Sequence, residues 1–169
     1  MPAAVQPFKR NGPCASDAAR LDMLRLAIAR DPRLAISTLE IERGGTSYLF
    51  DTLNELRQTL PRAELFFIIG MDSLRGLHKW YRAPELLALA TFLTAARPGF
   101  VPPPPDSLGF PEPWPRRLLD NIIPCPSRDI ASSDIREKVA QKLPIRYLVP
   151  RGVAAYIRAN ALYTSKETP

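Results

Sequence analysis

Apolar positions along the chain switch between a helical period and short runs that are apolar throughout. Ser16 stands ahead of Leu21, Leu24 and Ile28, which share one helical face; the spacing predicts a Ser-capped helix ended by Asp31-Pro32. Residues 34–41 read as a strand with Leu34, Ile36 and Thr38 on one side, and Gly44-Gly45 as a turn. Leu49, Leu53, Leu56 and Leu60 return to helical spacing until Pro61 stops them. Residues 65–70 are continuously apolar, which predicts a central strand covered on both faces. A helix over 83–90 with Pro84 in its first turn follows, then an apolar strand over 91–96 closed by Arg97-Pro98-Gly99. A short strand is expected at 121–123. Ser132 or Ser133 is expected to start a helix reaching Gln141, and a last helix runs from near Pro150 to Asn160.

The order α-β-α-β-α-β-loop-β-α-α predicts an α/β fold, a mostly parallel sheet with helices on both faces. With 169 residues the chain fits one domain, and at that size about two-thirds of the unfolded surface is buried on folding. Proline refines this picture. There are 19, and nine of them fall between Pro102 and Pro126, so residues 101–120 read as a stiff loop. A PxxP ligand for a partner domain is the weaker reading of that stretch.

Composition mainly excludes. No apolar run approaches the roughly 20 residues of a membrane helix, and the opening residues lack a secretory signal pattern, so a cytoplasmic protein is expected. Cys14 and Cys125 form no C-x-x-C pair and His78 is the single histidine, which argues against a metal cluster. The net charge of +6 suits an anionic partner, yet the basic residues are scattered and no block resembles a nucleic-acid tail.

Ligands in open α/β sheets bind beyond the carboxyl ends of the strands, near helix N-termini. Three stretches occupy such places. In Gly70-Met71-Asp72-Ser73-Leu74, glycine allows a close backbone approach and Asp72 can accept sugar hydroxyls; alternatively Asp72 or Ser73 caps a short helix. In Leu77-His78-Lys79-Trp80-Tyr81-Arg82, the Trp-Tyr pair can stack a flat cationic ring, or Trp80 can pin the loop to the core. In Ile130-Ala131-Ser132-Ser133-Asp134-Ile135-Arg136, two hydroxyls, free helix N–H groups and an arginine make a phosphate cradle, or an ordinary Ser cap beside a surface arginine.

Taken together, Gly-x-Asp-Ser-Leu, a following Trp, Arg-Pro-Gly and Ile-x-Ser-Ser-x-Ile-Arg resemble the bacterial nicotinate-nucleotide adenylyltransferases, from Pro2 to about Ile157. Gly45-Thr46-Ser47-Tyr48, Asp51-Thr52-Leu53 and Arg146-Tyr147-Leu148-Val149-Pro150 extend the resemblance. It implies a Rossmann-like nucleotidyltransferase fold that joins ATP, with Mg2+, to nicotinate mononucleotide, giving nicotinate adenine dinucleotide. It also implies roles. Trp80 would stack on the nicotinate ring, and backbone groups around Tyr81 and Tyr48-Leu49 would hold its carboxylate. Asp72 would touch the ribose and Lys9 the mononucleotide end. Gly70, Arg97, Ser132, Ser133 and Arg136 would serve the ATP side.

The sequence departs from that family in four places. Leu49 stands where Thr is usual, Phe8 where His is common, and Ala131 where Ser is usual. The family's opening strand, Gly-x-Phe-x-Pro-x-His-x-Gly-His motif and helix have no match. The single domain over 1–169 is therefore expected to be N-terminally incomplete, as a late start of a longer enzyme or, less favoured, as a genuine fragment. The catalytic histidines are then unassigned, this chain alone is expected to be poorly active, and the sheet should show an open slot or a bare edge, unless another chain completes it. The alternatives are a mononucleotide-binding fragment without chemistry and, weaker still, a nucleic-acid-binding protein. No membrane partner is expected. A homo-oligomer is compatible with the sequence, which does not fix the oligomeric state.

Overall fold

The computed structural model describes residues 1–7, 15–96, 99–126 and 130–164. The chain divides into two compact units, one formed by residues 1–47 with 129–169, the other by residues 48–128.

The second unit carries the sheet. Strands β1 (Phe66–Gly70), β2 (Thr91–Ala96) and β3 (Ile122–Pro124) are parallel, in the order β1-β2-β3. Register runs from Phe66 opposite Thr91 to Gly70 opposite Ala95, and from Thr94 opposite Ile122 to Ala96 opposite Pro124. Because side chains alternate along a strand, Phe67 and Ile69 share a face with Phe92, Thr94 and Ala96. That face meets Leu53 of α3 (Leu49–Thr59), Leu74 of α4 (Met71–Gly76), Leu86 and Leu87 of α5 (Ala83–Leu89) and Leu118 of α6 (Trp114–Asp120) in one apolar cluster. Arg57 pins the α5–β2 junction: Nε and one terminal nitrogen donate to the Leu89 carbonyl, at 3.0 and 2.8 Å, and the other terminal nitrogen donates to Ala63 O at 2.8 Å.

Two expectations change here. The apolar run at 65–70 does form a strand, and it pairs with 91–96 as neighbours. However, β1 is an edge strand, and β2 takes the centre. Phe66 and Ile68 are 54% and 72% exposed, so β1 is covered on one face only and its outer edge is bare among the described residues. A continuous apolar run does not say which of its alternate faces finds a partner. The proline-rich stretch also holds more structure than a loop. A 3-10 turn spans Pro105–Leu108 and helix α6 begins at Trp114, with Pro115 in its first turn, where a missing N–H costs nothing.

In the first unit, α1 (Asp17–Ile28) starts as expected, with Ser16 Oγ accepting from the Ala19 N–H at 3.2 Å, although it ends before Asp31-Pro32. The expected strand at 34–41 is absent. Residues 34–38 are irregular, and Leu39–Arg43 form a one-turn helix, α2, with Glu40 and Glu42 at its start and Arg43 at its end. That charge order follows the helix dipole, and Gly44 at φ 70° closes the turn, donating its N–H to Glu40 and Ile41. Gly45, at φ 66°, completes the predicted turn. Val5 bridges to Thr46 in parallel, and the buried Ser47 accepts from the Ala4 N–H at 2.9 Å. Helix α8 (Arg151–Ala159) lies on α1. A Cβ on Gly152 would stand 3.5 Å from Leu26, an ordinary van der Waals contact, so the packing here does not require glycine. Ile145, Val153, Ala154 and Ile157 make the core, joined by Met23 and by Ile135 and Val139 of α7 (Ser132–Ala140).

Candidate active site

Parallel strands place their carboxyl ends on one edge, and the candidate residues of the second unit follow those ends. Gly70 ends β1 and occupies the cap position of α4, with φ −86° and ψ 169°. That conformation suits any residue. What distinguishes the position is space, since an added Cβ would meet nothing within 4 Å. Asp72 is exposed in the first turn, and α4 has no side-chain cap, so the capping reading of Asp72 and Ser73 is not what forms. Beyond the end of β2, Arg97 falls outside the described residues, as does Lys9.

Helix α4 runs into a 3-10 turn, Leu77–Lys79, and the chain then extends at Trp80. Trp80 is half-buried and packs beside the main cluster, its ring edge-on to Phe67 at 6.4 Å. Tyr81 is 51% exposed and lies against Tyr48, 37% exposed, with ring centroids 4.7 Å apart. Leu49, next to Tyr48, opens α3 and packs on the main cluster. The fold thus brings together Tyr48-Leu49 and Trp80-Tyr81, segments about thirty residues apart in sequence. It also adds two residues that sequence reasoning missed. Phe50 meets the Tyr81 ring edge at 6.1 Å, and the Arg82 guanidinium lies 3.8 Å from the Phe50 ring centroid. Arg82 Nε donates to Glu85 at 3.1 Å. The Glu85 carboxyl is held below the usual range, first by its own backbone N–H and then by Arg82.

The phosphate-side candidates belong to the first unit. Helix α7 begins at Ser132, and the cap position falls to Ala131, which has no side-chain acceptor to offer. Neither serine caps the helix, which corrects the Ser-cap alternative. Ser132 and Ser133 are exposed, and Ser133 Oγ donates to Asp134 at 3.0 Å. Arg136 is half-buried one turn on. First-turn N–H groups without an intrahelical acceptor point out of this end of the helix, and together with the two hydroxyls they suit an anion. Asp134, in the same turn, opposes it. Among the described residues no group of three or more His, Cys, Asp or Glu side chains is placed to hold a metal ion.

Residues 1–138 match the family model described as cytidylyltransferase-like. A nicotinate-nucleotide adenylyltransferase of Bacillus subtilis is 38% identical over 165 residues, covering 98% of this chain and 81% of the relative. A Herpetosiphon aurantiacus protein named "Probable nicotinate-nucleotide adenylyltransferase" is 41% identical over 164 residues, covering 96% and 81%. The chain belongs to the nicotinate-nucleotide adenylyltransferase family. Among solved structures, a Plasmodium falciparum nicotinic acid mononucleotide adenylyltransferase complexed with NaAD superposes with a TM-score of 0.70 at 16% identity, over 96% of this chain and 80% of that one. The same parasite enzyme complexed with APC gives 0.65 at 15% identity, over 90% and 78%. These two likenesses establish the nucleotidyltransferase fold. The family-model match spans every candidate site residue named above, from Lys9 to Arg136, whereas α8 lies beyond it. No described helix of this family member is long and apolar enough to cross a membrane.

Proposed function

We propose that this chain carries the adenylyl-transfer site of a nicotinate-nucleotide adenylyltransferase. The phosphate of nicotinate mononucleotide attacks the α-phosphorus of ATP, the α–β phosphoanhydride bond breaks, and nicotinate adenine dinucleotide and pyrophosphate form. The observation that carries the reading is the relationship to named adenylyltransferases over nearly the whole chain. The contact between Tyr48 and Tyr81 supports it, because it joins the two segments assigned to the nicotinate end.

On this reading, Trp80 stacks on the pyridinium ring, whose positive charge an indole face attracts. Backbone groups at Tyr48-Leu49 and Tyr81 hold the carboxylate, Asp72 takes ribose hydroxyls, and Lys9 serves the mononucleotide end. Leu49 leaves only a backbone contact where the family usually offers a hydroxyl. Gly70 leaves room for nucleotide beside the backbone. Ser132, Ser133 and Arg136 hold the ATP phosphates, with Arg97 near the nucleotide. Such a site works by positioning and charge stabilisation, with no covalent step on the protein. Magnesium enters with the nucleotide as MgATP. A cytoplasmic setting belongs to the same proposal, in keeping with ATP as substrate and with Cys125 as a free thiol.

Titration calorimetry with nicotinate mononucleotide tests the reading. Saturable binding is expected, with ribose 5-phosphate, which lacks the ring, binding far more weakly. Trp80→Ala is expected to cost about 1–2 kcal/mol of that affinity, the scale of lost stacking and cation–π contact. Since Trp80 also packs against Phe67, the variant's melting curve is recorded alongside. Equal affinity for the two ligands, or an unaltered affinity in a folded Trp80→Ala protein, removes the nicotinate site.

A further inference from the structure

Arg82 occupies a backbone conformation that arginine seldom takes, with φ 55° and ψ 42°. A non-glycine residue stays in the left-handed region only where its surroundings over-determine it. Three contacts do so here. The guanidinium carbon stands over Phe50, 3.8 Å from the ring centroid. Its Nε donates to Glu85 at 3.1 Å. Its carbonyl accepts from the N–H groups of Glu85 and Leu86, at 3.0 and 3.1 Å, starting α5. Phe50 in turn meets Tyr81, and Tyr81 lies on Tyr48. The contacts form a chain, Tyr48–Tyr81–Phe50–Arg82–Glu85, which ties the start of α3 to the start of α5.

We infer that Arg82 is a positioning residue for the mononucleotide site. Stacked on Phe50 and tethered to Glu85, it holds Trp80-Tyr81 in register with Tyr48-Leu49. The ligand part of this inference rests on the function proposed above; the clamp itself does not. Charge alone cannot do this work. A lysine lacks the planar guanidinium that lies on an aromatic face while donating sideways to a carboxylate.

The test uses Arg82→Asn and Arg82→Lys in the full chain. Asparagine tolerates the left-handed backbone, so it removes the guanidinium without forcing the turn to change. Amide hydrogen exchange at residues 80–82 is expected to quicken in Arg82→Asn while the unfolding midpoint stays put. Nicotinate mononucleotide is expected to bind about three- to tenfold more weakly, on the scale of one cation–π contact, with ATP affinity unchanged. Arg82→Lys is expected to fall between Arg82→Asn and the wild type. Exchange at 80–82 equal to wild type overturns the clamp. Faster exchange with an unchanged mononucleotide affinity overturns the positioning role. A wild-type chain that does not bind nicotinate mononucleotide sinks the proposed function and the positioning role together, and the exchange data alone then decide the clamp.

Discussion

At the scale of single residues, the oddest position is Thr94. It sits in the middle strand, fully buried, with its hydroxyl unpartnered among the described residues. Its backbone N–H donates to the Asn121 carbonyl at 3.0 Å. A buried hydroxyl without a hydrogen bond carries a desolvation cost of about 1–3 kcal/mol. Valine has the same branched shape, favours strands and has no hydroxyl to desolvate. Thr94→Val is therefore expected to raise stability by about 1 kcal/mol in denaturant unfolding, with nicotinate mononucleotide affinity unchanged. A destabilised variant would mean that the hydroxyl has a partner when the protein is in solution. The site shows the same division between what one residue declares and what its neighbours decide. Trp80 and Tyr81 stand out in the sequence because aromatic pairs in polar surroundings invite a ring ligand. Phe50 and Arg82 do not stand out. Their value lies in a contact across about thirty residues, and Phe50 reads as just another helix position.

At the scale of elements, strong local chemistry was legible and competition between weak signals was not. The Ser16 cap, the Leu49–Leu53–Leu56 face and strand β2 all appear where the pattern puts them. Residues 34–41 alternate for a few positions, but the ordered charges at 39–43 and Gly44 favour one helical turn instead. Trp114–Asp120 hid behind prolines, which begin helices as readily as they break them. The packing of α8 on α1 carries a pH signature. Tyr156 Oη donates to Asp22 at 3.0 Å, and this hydrogen bond, with burial and the nearby charge adding to it, raises the phenol above its ordinary value. A group whose folded pKa is raised stabilises fully below its unfolded pKa, here about 10, and loses that contribution as pH rises through the folded value. The stability difference between wild type and Tyr156→Phe is thus expected to be constant at neutral pH and to shrink above about pH 10. Urea titrations of both proteins across that range measure it. A difference that stays level through the alkaline limb would show that the hydrogen bond does not form.

At the scale of the whole molecule, the question is what the 169 residues can do catalytically. The nicotinate-side candidates among the described residues fall in one unit and the phosphate-side candidates of α7 in the other. Neither unit supplies the paired histidines that the family resemblance leads one to expect on the ATP phosphates, since His78 is the sole histidine of the sequence. His78 is exposed, packs beside Gly109 and lies two residues from Trp80 in sequence. On the function proposed above, Ser132, Ser133 and Arg136 are the residues assigned to the departing pyrophosphate. Loss of one preorganised donor commonly costs about 10²–10³ in rate. Assayed beside the Bacillus subtilis relative with MgATP and nicotinate mononucleotide, the 169-residue chain is expected to form nicotinate adenine dinucleotide at least about a hundredfold more slowly. Arg136→Ala is expected to lower that turnover further. Comparable turnover by the 169-residue chain would mean that other groups meet the ATP phosphates, and His78→Ala and Lys9→Ala are the variants that would find them.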